Sequence, residues 1–326
     1  MADDPNRSAQ RVPERVLPIP RHLSPQAQAF MARPAMTSSG YPALDDKQAW
    51  RQHIAAGDRN ILENYLAHVP DVPGRISEVR EGEARGYEIV PEGVATDDRR
   101  VYLEIHGGAL IMGGGLVCRK MAMATAALHQ VRVVTVDYRM PPDHPFPVGL
   151  DDCIAFYRML LHDHAPGEII IGGGSAGGNL TAATLLKARD LGLPMPAGAV
   201  LSTPEVDLTE SGDSFAVNAG IDMMGTLMQA NLLYANGESL SHPYVSPLFG
   251  DFSAGKGGFP PSIISAGTRD LFLSNAVRLH RKLRNAGVQA ELHIVEAAVH
   301  GAFGGAPEDA ELSAEFRAFC QRCWGG

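Results

Sequence analysis

The sequence predicts an α/β fold, a mostly parallel sheet flanked by helices, and two features of its patterning predict it. Short apolar, β-branched runs alternate with longer amphipathic stretches, the order that builds strand–helix–strand units. Several of those runs are apolar without a polar face, as in Val131-Arg132-Val133-Val134-Thr135-Val136. Continuous apolar strands imply burial on both faces, and so a sheet sandwiched between helices.

Strands are expected at 87–90, 101–105, 131–137, 168–172, 197–202, 262–266 and 290–296, where β-branched and aromatic residues cluster between turn-forming residues. Amphipathic stretches at 120–130, 147–161, 176–191, 274–286 and 308–324 predict the helices that connect and cover them. Residues 1 to about 80 carry proline and charge without a strand pattern, and predict one helix over 46–65. The α/β domain then runs over 81–326, interrupted by an insertion at about 205–245. An insertion after a strand's C-terminal end lies over the crevice where open α/β sheets bind ligands, so the N-terminal segment and the insertion together read as a helical cap. Residues 223–234 of the insertion predict an apolar helix. Met224, Leu227 and Met228 would share one of its faces and Met223 with Leu227 another, either as a pocket wall or as plain core.

The 326 residues are 45% apolar and 20% charged, enough for a large core, and carry a net charge of −9. That balance lacks the basic footprint required by nucleic acids or anionic membranes. No apolar run reaches the ~20 residues that span a bilayer. The polar start lacks the apolar core of a signal peptide, and four cysteines are too few for a disulfide framework, so the cytoplasm is the expected compartment. Cys320 and Cys323 form a C-x-x-C without a second ligand pair and read as two positions on one helix. His162 and His164 flank Asp163 in what reads as a solvated polar run, and no metal or cofactor is expected.

Gly173-Gly174-Ser175-Ala176-Gly177 is a G-x-S-x-G run between an apolar strand and a helix. Small neighbours let such a turn strain and push the serine hydroxyl out above the sheet, with a helix N-terminus behind it to favour developing negative charge. Gly172, Gly174 and Gly177 also satisfy G-x-G-x-x-G. A dinucleotide site wants that motif after the first strand, with an acid about 20 residues on. Here it follows a late strand, and the acids after the next strand, Glu205 and Asp207, lie 28 and 30 residues beyond Gly177. Position therefore favours a nucleophile turn. Asp270 and His300 follow the expected strands at 262–266 and 290–296, on the same rim as Ser175, and the order Ser, Asp, His is that of α/β-hydrolases. His106-Gly107-Gly108-Ala109 follows an early strand, where backbone N–H donors for a developing oxyanion are expected.

Four separated segments together resemble the bacterial hormone-sensitive-lipase-like family of α/β-hydrolase esterases. They are His106-Gly-Gly-Ala, Tyr138-Arg-Met-Pro-Pro-Asp-His-Pro-Phe-Pro with Leu150-Asp-Asp, the Ser175 run, and the Asp270 and His300 loops. The resemblance spans residue 87 to the C-terminus. Two departures stand out: Ala109 replaces a customary glycine, and Asp270-Leu-Phe replaces Asp-Pro-Leu. The resemblance implies a carboxylic ester hydrolase working through an acyl-Ser175 intermediate, with Asp270 and His300 as partners and the amides of Gly108, Ala109 and Ala176 as the oxyanion hole. It also implies small ester substrates of short to medium acyl length, no metal, and a homodimer paired through the last strand. The same groups serve amide, lactone, carbonate or deacetylation chemistry, and a non-catalytic ligand-binding relative is the remaining alternative.

Overall fold

The computed structural model describes residues 13–33, 40–67, 69, 71–253 and 258–325. Its elements run in chain order as α1 (Pro25–Met31), α2 (Lys47–Asn64), β1 (Gly74–Glu81), β2 (Ala84–Pro91), β3 (Val101–Ile105), α3 (Leu116–His129), β4 (Arg132–Asp137) and α4 (Val148–Asp163). There follow β5 (Ile169–Gly174), α5 (Ala176–Asp190), β6 (Gly198–Ser202), α6 (Ser214–Val217), α7 (Met228–Ala235), β7 (Ser262–Gly267), α8 (Leu273–Asn285), β8 (Ala290–Val295) and α9 (Asp309–Cys323). The eight strands form one sheet in the order β1-β2-β4-β3-β5-β6-β7-β8. All neighbours from β4 through β3 to β8 are parallel, while β1 and β2 pair antiparallel at one end.

Alternation along each buried strand divides the core. Tyr102, Val133, Ile170, Val200 and Ile263 pack with Ala122 and Met123 of α3 and Phe319 and Cys320 of α9. Leu103, Ile105, Val134, Val136, Ile171, Leu201 and Ile264 face the other way, against α4, α5 and α8. Burying both faces is what made these strands legible as continuous apolar runs. Cys320 and Cys323 lie on α9, as helix positions three apart.

The structure differs from the sequence reading in four places. The stretch read as strandless contains β1, which joins β2 through the two-residue turn Gly82-Glu83. Its residues are mostly exposed and half are charged, because it lines the sheet's outer edge, where charge deters pairing with other chains. Helix α1 was also missed, although Ser24 caps it by accepting the Ala27 N–H at 3.1 Å and Pro25 opens it. The expected helix over 223–234 begins only at Met228. Upstream, Asp222 takes the Met224 N–H at 3.1 Å and Glu210 takes the Leu227 N–H at 2.7 Å, so side chains satisfy amides that a helix would otherwise have bonded internally. His164, expected in a solvated run, is buried, with its ring Nδ1 2.8 Å from Arg99 O.

β3, β5 and α5 meet so closely that side chains are excluded. A Cβ at Gly177 would lie 2.0 Å from the Ile105 carbonyl oxygen, and one at Gly173 would lie 2.2 Å from it. Contacts to backbone cannot be relieved by rotating a side chain, so Gly177→Ala should lower unfolding stability by about 3 kcal/mol, read by urea denaturation. A loss under about 1 kcal/mol would show that β3 and α5 can separate cheaply.

Candidate active site

Ser175 stands between β5 and α5 with φ 56° and ψ −121°, a conformation that costs a non-glycine residue energy and aims its side chain away from both elements. The turn is held by the Ser175 N–H donating to Ser202 O at 2.9 Å and by the Glu205 N–H donating to Ser175 O at 3.1 Å. β7 ends just before Asp270 and β8 just before the loop of His300, so both loops reach the rim that carries Ser175. His300 Nε2 lies 2.9 Å from Ser175 Oγ, and His300 Nδ1 lies 3.2 Å from Asp270 Oδ1. Asp270 is fully buried and accepts the Phe272 N–H at 2.7 Å, which fixes its carboxylate toward the imidazole. The three residues that sequence position singled out are thus one hydrogen-bonded chain.

His106-Gly-Gly-Ala curves beside this chain. A Cβ at Gly107 would meet Gly174 O at 2.9 Å, and one at Gly108, where φ is 126°, would meet Met112 O at 2.1 Å. Ala109 occupies the left-handed region at φ 53°, so its methyl is accommodated where glycine would be unstrained. Ala176, the first residue of α5, is fully buried and presents its amide at the helix N-terminus. The Tyr138 segment acts as a brace: the Tyr138 ring stacks on His106 at 4.1 Å between centroids, and its hydroxyl donates to His106 O at 3.1 Å.

His106, Cys118 and Asp137 bring potential ligand atoms within 4.8 Å of one another, a grouping the sequence did not announce. The Cys118 and Asp137 atoms have other partners. Burial pushes the Cys118 thiol well above its ordinary value, and its sulfur lies 3.3 Å from Thr135 Oγ1. Asp137 accepts the Gly115 N–H at 2.9 Å and pairs with Arg85 at 3.0 Å.

The Met-rich stretch divides. Leu227 packs with Leu271 and Phe272 beside Met224, Ala109 and Tyr41, next to the site. Met223 instead joins Leu23, Phe30 and Phe303 in a separate cluster, and Met228 opens α7. Sequence reasoning missed Tyr41, whose ring stacks on Trp50 of α2 at 5.5 Å and brings the N-terminal segment over Ala109. It also gave Glu205 no role in the site. Burial pushes that carboxyl up to about 8, with His300 opposing the rise, so a second buried acid lies near the imidazole. Burial raises the Tyr41 phenol to about 12, helped by Glu205 and Glu210.

A serine raised on a strained turn at the head of a parallel sheet, with imidazole and carboxylate delivered by later strand ends, is the α/β-hydrolase arrangement. A family model described as the alpha/beta hydrolase fold matches residues 102–304. An esterase of Acinetobacter venetianus is 30% identical over 242 residues, covering 72% of this chain and 78% of the relative. An acetyl-hydrolase of Streptomyces hygroscopicus is 32% identical over 233 residues, covering 66% and 77%. Among solved structures, one esterase superposes with a TM-score of 0.84 at 33% identity, covering 96% of this chain and 98% of its own. An esterase from the bacterial hormone-sensitive lipase family superposes at 0.78 and 28% identity, covering 92% and 99%. The chain belongs to the bacterial hormone-sensitive-lipase-like family of α/β-hydrolase esterases, and it is an ester hydrolase.

Burial lowers the His300 pKa, but the Asp270 charge and hydrogen bond, followed by Asp222 and Glu205, outweigh it and raise the ring above 6.5. The imidazole should therefore titrate above 6.5 by NMR of histidine-labelled protein, and Asp270→Asn should bring it down. A wild-type ring titrating below that value would contradict the charge arrangement.

Proposed function

We propose that this esterase cleaves carboxylic esters through an acyl intermediate on Ser175, with His300 as general base and acid and Asp270 orienting the imidazole. The observation that carries the reading is the bonded chain from Ser175 Oγ through His300 to Asp270, at 2.9 and 3.2 Å. In this scheme Ser175 Oγ attacks the carbonyl carbon as its proton passes to Nε2. The N–H groups of Gly108, Ala109 and Ala176 hold the resulting oxyanion. Collapse expels the alcohol, which takes the proton from Nε2. Water then attacks the acyl carbon, giving a proton to His300, and the acid leaves as Ser175 regains its own.

The N-terminal segment and the insertion at 205–245 form the cap in this reading. Met224, Leu227, Phe272 and Tyr41 pack around Ala109 as an apolar wall, which suits a short to medium acyl chain. The Streptomyces hygroscopicus relative, an acetyl-hydrolase by name, points the same way. Ile294 on β8 is 38% exposed at the far edge of the sheet, where unpaired backbone groups suit pairing with a second copy. Among the described residues no helix is long and apolar enough to cross a membrane. All four cysteines are free, which suits a reducing compartment such as the cytoplasm.

Rates over a series of 4-nitrophenyl esters of increasing chain length test the reading directly. Ser175→Ala should reduce them on the order of 10⁴–10⁶-fold. A variant retaining more than about a few per cent of activity would mean another nucleophile is at work. In the same series each methylene that fits should contribute about 0.8 kcal/mol until the wall is reached. Leu227→Ala should move the optimum to longer chains, and an unchanged chain-length profile would place the acyl pocket elsewhere.

A further inference from the structure

Ser214, Asn218 and Asp222 stand four residues apart in the insertion and are 2, 7 and 1% exposed. Polar side chains so buried need partners. All three find them around the two loops that carry Asp270 and His300. Ser214 Oγ donates to Leu271 O at 2.5 Å and accepts the Ser274 N–H at 3.0 Å. Asn218 Nδ2 donates to Asp270 O at 2.9 Å and to Thr268 O at 3.2 Å. Asp222 Oδ2 accepts the Leu271 N–H at 2.7 Å and the His300 N–H at 3.3 Å, while Oδ1 accepts the Met224 N–H at 3.1 Å.

Asp222 is therefore the carboxylate that joins the residue after Asp270 to the backbone of His300 itself. We propose that Asp222 is a positioning residue of ester hydrolysis, through which the insertion holds the Asp270 and His300 loops in register. The inference rests on the proposed roles of Ser175, His300 and Asp270 and adds a fourth residue that does not touch the reacting atoms. The two loops are separated in sequence by α8 and β8, so their alignment is not guaranteed by local chain geometry. The Asp270–His300 contact of 3.2 Å is also longer than the ~2.7–2.9 Å of a tight charge-assisted bond, so it gains from external support. The charged and titratable groups facing the imidazole are Asp270, Asp222 and Glu205, while Asp222 is faced by His300 and Asp270. Burial raises the Asp222 pKa, and the neighbouring imidazole and the N–H groups it accepts oppose that rise. As a carboxylate it favours the protonated ring.

Asp222→Asn in the full chain, beside wild type and Ser175→Ala, tests this with 4-nitrophenyl butyrate and with NMR titration of His300. We expect kcat to fall about tenfold to a hundredfold with KM changed less than about twofold, the size of effect that misplaced catalytic groups produce. The imidazole should titrate lower than in wild type, because a facing negative charge is gone. A purely structural role would lower thermal stability without moving that titration. A folded variant with wild-type kcat and wild-type titration overturns the proposal. Asp222→Ser, which keeps one acceptor in less volume, carries the same test if the asparagine variant does not fold. A wild type without esterase activity, or Ser175→Ala at full rate, refutes the catalytic reading instead. The His300 titration needs no substrate and still decides whether Asp222 acts on the ring.

Discussion

The turn at Ser175 packs its flanking backbone against the Ile105 carbonyl and the glycine loop of residue 107 at distances that leave no room for a Cβ at Gly173, Gly177 or Gly107. Every other feature of the site depends on that contact. It fixes β3 against β5 and α5, which lifts the serine hydroxyl from the sheet and sets the amide of Ala176 beside the loop carrying those of Gly108 and Ala109. In the proposed mechanism the nucleophile Ser175 and the oxyanion donors Gly108 and Ala109 come from distant segments, and the absence of side chains at Gly107, Gly173 and Gly177 lets their backbones approach closely. The strain at Ser175 and Ala109, both at positive φ, is maintained by this packing.

Around that backbone frame the electrostatics are arranged by burial. Asp270, Asp222 and Glu205 all face one imidazole, and the three carboxyl groups are 0, 1 and 1% exposed. Removing water from that many acids would be costly if all were charged and unpaired. The cost is divided instead: Asp270 bonds to the ring, Asp222 accepts backbone N–H groups, and burial pushes the Glu205 carboxyl up to about 8. In the proposed mechanism the imidazole gains a positive charge in each half-reaction, facing the Asp270 and Asp222 carboxylates whose positions hydrogen bonds fix in advance.

Residues that declare themselves by local chemistry were legible in the sequence. The apolar runs at β3, β4 and β5 announce buried strands because both faces are covered, and Ser175 announces a strained turn because its neighbours are small. Asp270 and His300 were legible only through their places after strands. What escaped was whatever depends on long-range partners. β1 lies at an exposed edge and mixes charged and apolar residues without alternation, so it carries no burial signal. The Met-rich insertion has helical periodicity, yet Asp222 and Glu210 capture its amides and delay α7 to Met228. Tyr41 reaches the site across the fold and has no motif at all.

By itself the sequence determined the class of sheet and singled out Ser175, His300 and Asp270 as the triad proposed for the site. These follow from periodicity, from small residues at a turn, and from chain order, all properties of short segments. The tertiary structure alone decided which of the buried acids face the imidazole, which Met-rich residues border Ala109, and which backbone groups of the Asp270 and His300 loops the insertion bonds. Those depend on contacts between residues tens to hundreds of positions apart, such as Asp222 with His300 and Tyr41 beside Ala109. Their free energy comes from burial and geometry that no local pattern encodes.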